Sequence, residues 1–111
     1  MSLVRLCHIN DIPEHSGMAA LVEGRQLALF NLPGLGFFAL DNWDPLGRAQ
    51  VLARGIVGDI KGEPCVASPL YKHHYSLKDG RCLEQEDVKV KVWPLVAKDD
   101  QLWLEQPSLT G

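Results

Sequence analysis

The chain has 111 residues, 46% of them hydrophobic and 23% charged, with a formal charge of −3 at neutral pH. That length suits one domain with a single core, residues 1–111, and the composition favours a folded domain over a disordered chain. The negative balance and the scattered lysines and arginines, with no basic stripe, exclude a surface built for nucleic acid.

Helical periodicity is nearly absent, and turn signals recur along the chain, which predicts a small all-β domain. "LVRLC" alternates as a strand, and "NDIPEHSG" is a polar bend carrying Pro13 and Gly17. "MAALV" and "QLALFNL" flank Glu23-Gly24-Arg25, a short hairpin connection with glycine at the turn. "GFFAL" follows as another strand. The longest apolar stretch, residues 27–40, is broken by Asn31, Pro33, Gly34 and Gly36. It is shorter than the roughly 20 residues of a membrane-spanning helix, so no membrane association is expected. The beginning, "MSLVRLCHIN", lacks the apolar core of a secretory signal, and a cytoplasmic protein is expected.

Residues 43–62 hold Pro45, Gly47, Gly55, Gly58 and Gly62 and read as a long loop with short strands. "EPCVAS" is a buried strand leading into "SPLYKHHYSLKDG", where Asp79-Gly80 closes a hairpin. In "DVKVKVWPLVA", Val88, Val90 and Val92 face the core while Lys89 and Lys91 face water, and Pro94 marks an edge strand or a bulge. Asp99-Asp100 turns the chain back into "QLWLE".

Few residues carry independent chemistry. His73 and His74 invite a metal reading, but neighbours in extended backbone point to opposite faces and cannot easily chelate one ion. Cys65, Cys82 and these histidines match no zinc spacing. His8 and His15 stand alone, as surface or capping residues. Cys7, Cys65 and Cys82 are an odd number without a C-x-x-C pair, and read as free thiols packed as small hydrophobes. "LPGLGFF" lacks the third glycine and the helix of a phosphate-binding loop. Asp41, Asp44 and Asp59 suggest a carboxylate pair, yet loop aspartates more often bond their own backbone. Trp43, in the long loop, is the tryptophan best placed to meet a partner, with Trp93 and Trp103 read as core or rim.

Two segments, "FFALDNWDPLG" and "CVASPLYKHHYSLKDGRCLE", resemble the two loops of Rieske iron–sulfur domains. Such loops run C-x-H and C-x-x-H, with two thiolates on one iron and two imidazoles on the other. The resemblance implies an all-β Rieske-like fold: a small antiparallel β-sandwich with a cluster-loop subdomain. It places the four ligand positions on Asp44, Leu46, Ser68 and Tyr71, none of them a Rieske ligand, so a cluster is not expected in this chain.

"DNWDPLG", "VLARGIVGD", "GEPCVASPLYKHHYSLKDGRCLE" and "VKVWPL" resemble the small subunit of assimilatory nitrite reductases that use NADH or NADPH. That resemblance implies a non-catalytic subunit, inactive when isolated, with no cofactor and no catalytic or metal-binding residue of its own. The partner would be a large subunit carrying FAD, a [4Fe–4S] cluster and sirohaem, which reduces nitrite to ammonium with six electrons. The loop tip would face that partner through Trp43, Asp44, Leu46, Tyr71, Lys72 and His73. Two other readings compete: a Rieske-type ferredoxin carrying electrons to an oxygenase or reductase, and a free-standing Rieske-like binding module.

Overall fold

The structure, a computed structural model, describes residues 2–70 and 73–106. In chain order its strands are β1 (Ser2–His8), β2 (Ser16–Val22), β3 (Arg25–Leu32), β4 (Gly36–Asp41), β5 (Trp43–Asp44) and β6 (Ala49–Gln50). They continue with β7 (Ile56–Ile60), β8 (Glu63–Ala67), β9 (His74–Ser76), β10 (Val92–Trp93), β11 (Leu95–Lys98) and β12 (Gln101–Gln106). The helical pieces among the described residues are short 3₁₀ turns at Ile9–Asp11 and Leu52–Arg54. The first is capped by His8, whose Nδ1 accepts the Asn10 amide while Asp11 accepts the His8 amide, a capping box in miniature.

Three hairpins turn on residue pairs with both φ values positive: Glu23-Gly24 (50° and 81°), Lys61-Gly62 (52° and 84°) and Asp99-Asp100 (55° and 62°). That twist matches the right-handed twist of the strands the turns join. The resulting sheets are β1-β12-β11, β10-β4-β3-β2 and β7-β8-β9, with β5 and β6 forming a separate two-stranded ribbon. All these pairings are antiparallel.

The arrangement follows from β3. Its residues Leu27, Ala28, Leu29 and Phe30 are all buried, although successive strand side chains point to opposite faces. A strand that buries both parities needs cover on each side. Leu27 and Leu29 pack with Cys7, Ile12, Leu102 and Leu104 under the β1-β12-β11 sheet. Ala28, Phe30 and Leu32 pack the other way, against Leu52, Val66, Tyr75 and Leu77. Thus the four-stranded sheet separates two cores.

The C-terminal segment departs from the expectation of one long alternating strand. The alternation holds in burial, with Val90 buried and Lys89 and Lys91 exposed, but regular strand begins only at Val92. Val90 instead donates its amide to the Gly80 carbonyl at 2.9 Å. Pro94 is the crossing point between sheets: β10 before it pairs with β4, and β11 after it pairs with β12. Proline has no amide to give to either ladder, which lets the chain change sheets there without orphaning a donor.

Candidate functional site

Two connections meet: residues 42–49 around the β5–β6 ribbon, and residues 68–73 between β8 and β9. The first is braced from behind by buried Asn42. Its Nδ2 donates to Gln26 at 3.1 Å, and its Oδ1 accepts the Ala53 amide at 2.7 Å. The Arg48 amide then returns to the Asp44 carbonyl at 2.6 Å, closing the tight turn that contains Gly47. The second connection is drawn together at its neck, where the Ser68 amide donates to the His73 carbonyl at 2.8 Å.

Between them lies the carboxylate of Asp44, completely buried. Its Oδ1 accepts the Tyr75 hydroxyl at 2.7 Å and the Leu46 amide at 3.0 Å. Its Oδ2 accepts the Ser68 hydroxyl in a short hydrogen bond, and the Gly47 amide is a further donor to the group. Burial pushes the Asp44 acid upward. The bonds from Ser68, Tyr75, Gly47 and Leu46 outweigh it and hold the carboxyl below its ordinary value. Tyr75 is affected in the opposite sense: burial, then the Asp44 carboxylate it bonds, pushes its phenol well up. Gly47 is required by proximity. A Cβ there would fall 2.6 Å from Asp44 Oδ2 and 2.8 Å from Leu70 Cδ1.

The two connections expose apolar side chains beside the charged Arg48. In the first connection Trp43 is 42% exposed, lining a cleft with Glu23, Arg25, Gln26 and Asp41, and Leu46 is half-buried; in the second, Leu70 is 47% exposed. His73 is also half-buried. Tyr71 and Lys72 lie outside the described residues. Asp44 corrects the expectation that it would face a partner: it points inward because its donors are inside. Leu70 and Tyr75 were absent from the ligand positions and partner-contact residues that the sequence suggested. For Leu70, the signal was an apolar residue directly after Pro69 in a loop.

His74 is committed elsewhere. Its Nδ1 lies 2.6 Å from Glu84 Oε2, and its backbone amide donates to Glu84 Oε1 at 2.8 Å. Burial pushes the Glu84 acid up, but the two His74 bonds more than offset it and leave it lowered. The three cysteines are buried free thiols, Cys7 in one core and Cys82 in the other. Burial raises all three above the ordinary thiol value, so they are poor nucleophiles and poor metal ligands at neutral pH. Asp41 accepts the Trp93 indole N–H at 2.7 Å, a structural role.

Residues 2–105 match the family model of the Rieske-like [2Fe-2S] domain. The NADH nitrite reductase small subunit of Salmonella typhimurium is 41% identical over 95 residues, covering 85% of this chain and 88% of that one. The chain belongs to this family of small subunits. The solved structure of the Escherichia coli protein NirD has a TM-score of 0.86 at 36% identity, covering 96% of this chain and 98% of that chain. A stretch of the NAD(P)H nitrite reductase large subunit of Klebsiella oxytoca is 39% identical over 104 residues. That match takes in 94% of this chain and only 11% of the large subunit.

The domain description names a cluster, and the residues here do not fit it. A Rieske cluster takes two thiolates and two imidazoles, whereas neither meeting connection, 42–49 or 68–73, contains a cysteine. Leu46 has no donor atom, and the Asp44 oxygens are already occupied by hydroxyl and amide donors. Among the described residues no group of three histidine, cysteine or acidic side chains is placed to hold a metal ion.

Proposed function

We propose that this chain works as the non-catalytic small subunit of a cytoplasmic NAD(P)H nitrite reductase, seated on a large subunit that reduces nitrite to ammonium during nitrogen assimilation. The observation that carries this reading is the match to nitrite reductase small subunits over nearly the whole length of both chains. The match within a large subunit adds to it, since a domain of this kind joined to the catalytic chain in one protein is a natural docked partner in another. The FAD, [4Fe–4S] cluster and sirohaem implied by the family resemblance would all belong to the large subunit. Relatives at this identity favour the reductase subunit over the ferredoxin reading, and a chain with no fitting cluster ligands is poorly equipped to carry electrons.

The same reading places the docking surface at the two loops. Ser68 and Asp44 stand at positions of the lost cluster ligands together with Leu46 and Tyr71, and Trp43, Leu46, Tyr71, Lys72 and His73 would meet the large subunit. Exposed aromatic and apolar side chains gathered in loops are the type enriched at the centre of protein interfaces.

Co-expression with the cognate large subunit tests the whole reading. The expected outcome is co-purification of a sirohaem-containing chain and loss of growth on nitrite as nitrogen source when this gene is deleted. Absence of both would refute it. For the surface, Trp43→Ala is expected to weaken association at least tenfold, read by titration calorimetry, with the fold unchanged by circular dichroism. Unchanged affinity would move the interface elsewhere.

A further inference from the structure

We propose that Asp44 is a positioning residue that joins the two loops in place of a metal cluster, its carboxylate tying the first loop to Ser68 of the second and to Tyr75 of β9. The loop closure stands independently of any partner, and its effect on docking rests on the small-subunit reading.

Three observations converge on this role. A buried carboxylate is costly unless every lone pair is used, and among the described residues no cationic side chain is bonded to this one. Its bonds to Ser68 and Tyr75 span 24 and 31 residues, so they cross-link distant parts of the chain, while the Leu46 and Gly47 amides anchor it locally. Gly47 then allows the backbone to approach Oδ2 more closely than any side chain would permit. Four donors converging on two oxygens also define the charge state. An amide in this place offers one acceptor oxygen and turns an N–H₂ group toward the remaining donors.

The role is tested by residue-resolved amide hydrogen exchange on the full chain, comparing wild type with Asp44→Asn and Tyr75→Phe. With Asp44→Asn, the Leu46 and Leu70 amides are expected to exchange at least tenfold faster, while those of Leu29 and Ala39 in the central sheet keep their rates. Tyr75→Phe retains the ring and is expected to accelerate the Leu46 amide by a smaller factor. Unchanged loop amides in Asp44→Asn would overturn the proposal. Equal acceleration of loop and central amides in both variants would also overturn it, because Asp44 and Tyr75 would then be ordinary core fillers.

A pH profile separates positioning from bulk packing. The folded-state acid of Asp44 is lowered, so closure persists below the usual carboxylate range and is lost as pH falls through the folded value. Among the described residues, the titratable neighbours are Tyr75, pushed far above that range, His73, whose carbonyl accepts the Ser68 amide, and Cys82, whose charge acts on Tyr75. Loop protection in wild type is expected to fall in the acid range, and Asp44→Asn to lose that acid step; an identical step in both would count against the carboxylate. Anaerobic incubation with ferrous iron and sulfide is expected to leave the chain without stoichiometric iron, and a full [2Fe–2S] spectrum would sink the idea.

Discussion

At the scale of single residues, Tyr75 and Asp44 show how much a pair of hydrogen-bonding atoms can organise. Removing the Tyr75 hydroxyl leaves Oδ1 with the Leu46 amide alone, and an under-satisfied buried acceptor costs about 1–3 kcal/mol. Tyr75→Phe should therefore lower the urea midpoint with no change in the slope of the transition. Sequence made Asp44 and Ser68 visible as places where cluster ligands would stand, yet nothing in it said that they would bond each other. The partners are 24 residues apart, and no local pattern encodes a contact of that range. The resemblance to Rieske loops gave Asp44 a preference for the partner-facing tip. Convergent donors from β9 and the second loop reversed that preference. His8, by contrast, had its capping role legible, because the cap is made with Asn10 and Asp11 beside it.

Among the elements, those with local codes were readable and those decided by tertiary pairing were not. The hairpins at Glu23-Gly24 and Asp99-Asp100 follow from turn residues that tolerate positive φ. The segment 87–97 has the alternation of one strand but divides at Pro94 between two sheets, a choice made by β4 and β12 rather than by its own residues. A glycine comparison tests how firmly its inner part is held. Gly80 has φ +80°, and a Cβ there would fall 1.9 Å from the Val90 carbonyl oxygen. Gly24 has φ +81° with nothing within 4 Å. Gly24→Ala should cost only the backbone strain of that conformation, about 1–2 kcal/mol. Gly80→Ala should cost clearly more, because the backbone contact with Val90, including the Val90 amide bond to the Gly80 carbonyl, must also give way, and thermal melts of the two variants measure the difference.

For the molecule as a whole, the decisive feature is that β3 belongs to both cores. Neither core can dissolve without exposing one face of the same strand, so the layers are expected to unfold together. Leu104→Ala on one side and Leu77→Ala on the other should each cost about 2–5 kcal/mol. In both variants tryptophan fluorescence and far-ultraviolet circular dichroism should trace coincident transitions, whereas separated transitions would reveal two independent halves. The Rieske-like architecture thus has its stability distributed through strands and hydrophobic layers, and the loops that meet at Asp44 are closed by atoms the chain itself supplies. A closure of that kind is complete as soon as the polypeptide folds. On the proposed role of Asp44, the fold would call for no iron or sulfide at this place, and no thiolate-bound metal would stand there for oxygen to attack.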